Sequence, residues 1–111
     1  MNSIINQDVN DAFPLHKGDV LKIKIEYWDD RRIRFGLEYD SSDTAAKLNG
    51  AYKAHSQAIQ GQGSERWRAA EFRVSDARFA GSQNGAADFR LFVRGGPLKV
   101  RAVSVQRVNA R

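Results

Sequence analysis

The sequence predicts an all-β domain, an antiparallel two-sheet β-sandwich of jelly-roll type with about seven or eight short strands. Three observations predict it. Apolar and polar residues alternate with a period of two in several separate segments. Gly-, Asn- and Asp-containing turn signals fall between those segments. No heptad pattern occurs, and the one helix-like stretch, Ala45-Ala46-Lys47-Leu48, is stopped at once by Asn49-Gly50.

Taken in order, residues 1–17 read as an edge strand around Ile4 and Ile5 or as a linker, ending on the Lys17-Gly18-Asp19 turn. From Val20 to Trp28, Leu21, Ile23, Ile25 and Tyr27 share one face, and Lys22, Lys24 and Glu26 share the other. Asp29-Asp30-Arg31-Arg32 reads as the turn of a hairpin into Ile33, Phe35, Leu37 and Tyr39, which alternate with Arg34, Gly36 and Glu38 on a wet face.

Ala51 to Ile59 is a weaker strand, read with Tyr52, Ala54, Ser56 and Ala58 on one face and Lys53, His55 and Gln57 on the other. Gln60-Gly61-Gln62-Gly63-Ser64 reads as a flexible hairpin tip. Beyond it, Ala70, Phe72 and Val74 alternate while Trp67 is out of phase, and a β-bulge near Ala69-Ala70 would return that ring to the core. Ser75-Asp76-Ala77-Arg78-Phe79 reads as a tight turn that drops Phe79 on the core, and Gly81, Asn84 and Gly85 suit a long surface loop. Phe89, Leu91 and Val93 form the next strand, with Asp88 and Arg90 placed for cross-strand charge pairing. Gly95-Gly96-Pro97 reads as a hairpin. In the last strand the phase slips between Leu98/Val100 and Val103/Val105, which places a bulge near Arg101-Ala102. The expected inter-sheet core is Ile23, Ile25, Phe35, Leu37, Phe72, Phe89, Leu91 and Val100.

A chain of 111 residues accommodates one such domain with a single core, so 1–111 is expected to be one β-sandwich, excised from a longer chain. No cysteine is present, which excludes a disulfide framework and a thiolate metal site. No apolar run approaches the roughly 18 residues of a membrane span, and the N-terminus lacks the pattern of a signal peptide. The compartment stays open, with a secreted or periplasmic parent compatible. The net charge of +5 comes from dispersed Lys and Arg with no run longer than Arg31-Arg32. That distribution fits solvated strand faces and does not favour nucleic acid.

Several pieces, in order, resemble the β-sandwich accessory domains found beside catalytic domains in bacterial glycoside hydrolases. They are Val20 to Asp29, Phe35-Gly36-Leu37-Glu38-Tyr39-Asp40-Ser41, Trp67 with Phe72 and Asp76-Ala77-Arg78-Phe79, and Ala87-Asp88-Phe89-Arg90-Leu91. The likeness runs over roughly residues 18–107 and is to galactose-binding-like and carbohydrate-binding modules. It implies a non-catalytic module that binds or positions a polysaccharide or oligosaccharide for a catalytic domain on the same parent chain. The structural calcium that many such domains hold with an acid on the last strand is not carried over, because Leu98 to Arg111 has no Asp or Glu.

The residues themselves support no catalytic site. Glycosidase chemistry needs two facing carboxylates, and Asp29, Asp30, Asp40 and Asp43 all fall in hydrophilic turns where Asp commonly caps backbone amides. His16 and His55 lack zinc spacing, no cofactor motif occurs, and no metal is expected. For sugar binding an exposed ring with polar neighbours is required. The expected ligand residues are Trp28 and Asp29, with Tyr52 and His55 as adjuncts, while Trp67 is assigned to the core. Two other readings stand beside this one. The chain is either a purely structural domain packed on a catalytic partner, or a weak anionic-polymer binder using Arg31, Arg32, Arg34, Arg66 and Arg68.

Overall fold

Alternation along each segment commits one face of every strand to burial, and the chain satisfies that by stacking two antiparallel sheets. The structure, a computed structural model, describes residues 2–7 (backbone), 20–43, 45–46, 50–77 and 88–108. Among the described residues seven strands are formed: β1 (Asn2–Gln7), β2 (Val20–Trp28), β3 (Arg34–Tyr39), β4 (Lys53–Gln60), β5 (Trp67–Val74), β6 (Phe89–Arg94) and β7 (Val100–Val108). One sheet has four strands in the order β1-β6-β3-β4, and the other has three in the order β5-β2-β7. Ile4 and Ile5 do lie in an edge strand, paired with β6.

The core sits between the sheets. Leu21, Ile23, Ile25 and Tyr27 of β2 meet Phe35, Leu37 and Tyr39 of β3, together with Phe72 of β5 and Phe89, Leu91 and Val93 of β6. The rings interlock edge to face, Tyr27 on Phe35 at 5.0 Å and Phe35 on Phe72 at 6.4 Å between centroids. Of the expected core residues only Val100 falls short. It begins an outer strand and is half-buried.

Three expected hairpins are not hairpins. The chain changes sheet between β2 and β3, between β4 and β5, and between β6 and β7. Among these seven strands only β3 and β4 are consecutive neighbours in one sheet. A turn signal reverses the chain but does not say whether the next strand pairs beside the last or crosses above it. Here the chain crosses, as in jelly rolls. The crossings nest tightly at one end. A Cβ on Gly61 would lie 1.8 Å from the Asp30 carbonyl oxygen, and one on Gly95 would lie 1.9 Å from that of Arg32. Only glycine fits at either point.

The bulge expected in the last strand is present. Glu26 pairs with Ala102 and Tyr27 with Val100, leaving Arg101 as the extra residue. The bulge expected in β5 is absent. Its register against β2 is unbroken from Leu21–Val74 to Trp28–Trp67, so strict alternation holds and Trp67 stands on the outer face, 36% exposed. Burying an indole by a bulge would break the ladder at the sheet's margin, and the amphipathic ring tolerates partial exposure. β4 also departs from its expected phase. Between Gly36–Ala58 and Glu38–Ala54 the register slips, and Lys53, His55 and Ile59 are the more buried residues while Ala54, Ser56 and Ala58 are exposed. The helical turn expected at 45–48, the Phe79 turn, the glycine-rich loop after it and His16 lie wholly or largely outside the described residues.

Candidate functional site

The four residues expected to form a ligand site are not brought together. Trp28 and Asp29 close β2 in the three-stranded sheet, at the end where β3 begins and β4 finishes. Tyr52 precedes β4 and His55 lies in its first half, toward the opposite end of the other sheet.

Asp29 is not an exposed partner for a sugar. Its side chain is fully buried, contrary to the hydrophilic look of its turn, and its oxygens are spent on the loop after β4. Oδ1 accepts the Gln62 backbone N–H at 2.7 Å, and Oδ2 accepts the Ser64 N–H at 2.9 Å and the Ser64 hydroxyl at 2.6 Å. Burial alone would push its pKa up. The Ser64 hydroxyl and the backbone N–H groups of Gln62, Ser64 and Gly63 outweigh burial and hold it at about 2. The expected flexible tip is therefore a stapled crossing. Asp40, placed with Asp29 among the turn acids, is fully buried as well.

Trp28 is half-buried and meets Trp67 edge to face, with ring centroids 5.4 Å apart. Arg101, the bulged residue, lays its guanidinium over the Trp67 ring at 4.8 Å and reaches Glu26 at 3.3 Å. The ring presented on this outer face is thus Trp67 rather than Trp28.

Tyr52 is buried at 6% exposure, with the Arg90 guanidinium 4.2 Å over its ring, so it offers no free stacking face on that side. His55 uses both ring nitrogens within the protein. Nδ1 accepts the Gln57 N–H at 3.0 Å, which leaves the proton on Nε2 to donate to the Arg73 carbonyl at 2.9 Å. Gln57 reaches the Glu71 carbonyl at 3.2 Å in the same manner. Both side chains are directed at the outer edge of β5, and both fall in the segment where the register of β4 slips.

The feature with the geometry of a binding site lies on the outer face of the four-stranded sheet. Register places three residues in each of three rows across β6, β3 and β4: Arg94–Arg34–Gln60, then Phe92–Gly36–Ala58, then Arg90–Glu38–Ala54. Rows two residues apart are separated by about 7 Å and adjacent strands by about 4.8 Å. The middle row joins an aromatic ring, a residue without a side chain and a methyl group, so it forms a trough. No heavy atom of the described residues lies within 4 Å of a Cβ built on Gly36. The trough is an open depression of about 390 Å³, within the range of small-molecule sites. One flank is tied down, because Glu38 Oε1 accepts from both Nε and the terminal nitrogen of Arg90 at 2.6 Å. That guanidinium also covers the Phe92 ring at 4.8 Å.

A second polar cluster is used by the fold. Asp76 accepts from the Tyr39 hydroxyl and from Lys53 Nζ, each at 2.5 Å, and Lys53 also pairs with Asp43 at 3.1 Å. Burial, then the Asp76 carboxylate, pushes Tyr39 up, while hydrogen bonds to Asp76 and Asp43 push Lys53 up. The cluster ties the loop after β3 to the end of β5, beside the Ser41–Ala77 bridge.

Sequence reasoning had Arg34, Gly36 and Glu38 on a wet face but did not join them to Phe92, Arg94 and Ala58. The signal available was the run Arg90-Phe92-Arg94 opposite Arg34-Gly36-Glu38. It becomes a candidate site only once the register is known. No protein-family model, curated protein or solved structure matches this chain.

Proposed function

We propose that this chain is a non-catalytic carbohydrate-binding or substrate-positioning module of a polysaccharide-degrading enzyme, and that the sugar lies in the trough over Gly36. The observation that carries this reading is the middle row Phe92–Gly36–Ala58. A pyranose has an apolar face and a rim of hydroxyls, and it needs an apolar floor with polar groups along both sides. The trough supplies that floor, with the row of Arg94 and Arg34 on one side and the row of Glu38 and Arg90 on the other. A non-catalytic role accords with Asp29, whose oxygens serve the backbone.

The test uses the register directly. Gly36 does not adopt a positive φ, and space is open above it among the described residues, so a Val there fills the trough without straining the strand. Titration of the wild type against a panel of neutral and acidic oligosaccharides should give binding heat with at least one, and Gly36→Val should remove it. No heat with any sugar, or full binding by Gly36→Val, would refute the reading.

One observation favours a second reading. Trp67 is the exposed large hydrophobic residue among the described residues, and it lies beside Trp28 on the sheet face opposite the trough. A catalytic domain on the same parent chain packed there would make the module structural.

A further inference from the structure

The row beside the trough contains a pairing that sheets ordinarily avoid. Arg34 and Arg94 are directly opposite in the antiparallel register of β3 and β6, and both are exposed on the outer face. Like charges at directly opposed positions destabilise a sheet. The fold relieves the comparable case elsewhere: Lys22 stands opposite Arg73, and Glu71 lies 3.6 Å from Lys22 Nζ. In the third row of the trough Arg90 is likewise answered by Glu38. The guanidiniums of Arg34 and Arg94 make no ion pair or hydrogen bond with the described residues. The two guanidiniums nevertheless line the same trough as Phe92 and Gly36.

We infer that the counter-charge belongs to the ligand, and that the trough takes an anionic sugar whose ring lies over Gly36 while its oxyanion sits between Arg34 and Arg94. The inference rests on the carbohydrate reading above and names the class of sugar. Two guanidinium forks present several N–H donors to one oxyanion in charge-assisted bonds. The row spacing is about 7 Å, and the long arginine side chains extend across part of it toward an oxyanion held on the ring by one short substituent. A uronic-acid carboxylate and a sulfate ester both supply such a group.

The experiment compares an oligogalacturonate, its fully methyl-esterified form, a sulfated neutral oligosaccharide and an unmodified neutral one, by calorimetric titration of the whole chain. One or both anionic probes should bind at least about tenfold more tightly than their neutral counterparts, and Arg34→Gln and Arg94→Gln should each lose about tenfold on that probe. Arg66→Gln, an exposed arginine outside the trough, should lose nothing. The free Arg34→Gln protein should melt no lower than wild type, since a repulsion is removed. Preference for the oligogalacturonate identifies a carboxylate as the anion, and preference for the sulfated probe identifies a sulfate. The inference is overturned if neutral and anionic forms bind alike, or if Arg66→Gln weakens binding as much as the trough variants do. Neutral-sugar binding that Gly36→Val abolishes and the arginine variants leave untouched would overturn it while leaving the carbohydrate reading in place. Absence of binding to every probe overturns both.

Discussion

The Asp29 carboxylate receives both the backbone N–H and the hydroxyl of Ser64, at 2.9 and 2.6 Å, across 35 positions of sequence. This pair joins the end of a strand in one sheet to the connection leaving the other, so the acid acts as a staple between sheets. Asp29→Ala removes it and leaves the part-buried Gln62 and Ser64 N–H groups without their carboxylate partner. The expected cost is roughly 2–4 kcal/mol, read as a fall in melting temperature of roughly 10–20 °C. A change of a degree or two would mean that the loop holds itself.

Acid should undo the same staple. The folded pKa of Asp29, about 2, lies below its ordinary value of 3.8. A depressed carboxylate contributes stability in full above its unfolded pKa and loses it as pH falls toward the folded one. Asp43 and Asp76 are lowered too, Asp43 by Lys53 and the Ala45 N–H, Asp76 by Lys53 and Tyr39 against the opposing effect of burial. Stability measured by urea unfolding should therefore be flat from neutral pH to about 4 and decline between about 4 and 2, with roughly 2 kcal/mol of the loss missing in Asp29→Ala. A parallel decline in the variant would contradict the assignment.

Gly36→Val should leave the fold at least as stable. Glycine inside a strand costs about 0.5–1 kcal/mol in backbone entropy, and Val opposite Phe92 adds a favourable cross-strand pair. The midpoint of urea unfolding should rise or stay level. A drop would show that the space above Gly36 is filled by another part of the chain.

Trp67→Ala separates the two outer faces. The ring is 36% exposed and packs on Trp28 beneath Arg101, so stability should fall by roughly 1–2 kcal/mol, and oligosaccharide binding should persist because the trough is on the other sheet. Loss of sugar binding in this variant would move the site to the tryptophan face. By contrast, Phe35→Ala in the shared core should cost about 3–5 kcal/mol.

Much of the fold was legible because burial on one face enforces the period of two. β2 and β6 are the clearest cases, with every apolar residue of the expected series Leu21 to Tyr27 and Phe89 to Val93 turned inward. The sheet assignment was not legible, since Asp29 to Arg32 has the same composition whether it closes a hairpin or carries the chain across. His55 and Gln57 misled in β4. Polar residues that turn to a neighbouring strand's carbonyls look the same in sequence as residues facing water. Asp29 looked exposed for a related reason, because a turn acid that caps buried amides has the same neighbours in sequence as one that caps nothing. The trough was unreadable in a stronger sense. Gly36 on its own reads as a weak point in a strand, and its meaning lies in Phe92 and Ala58, which are distant in the chain and adjacent only in register.

The contacts of His55 and Gln57 with β5 give the sandwich a spine. β5 and β7 are the two outer strands of the three-stranded sheet, and each pairs with β2 alone. Among the described residues, side chains of the facing sheet bind β5 along its free edge, at the Arg73 and Glu71 carbonyls. Breathing of the two sheets should then open like a book, parting along the β7 margin and pivoting about the β4–β5 side. Amide hydrogen exchange reports this without any substitution: β7 should exchange faster than β5 although their ladders are of similar length, and replacing His55 with Ala should erase the difference.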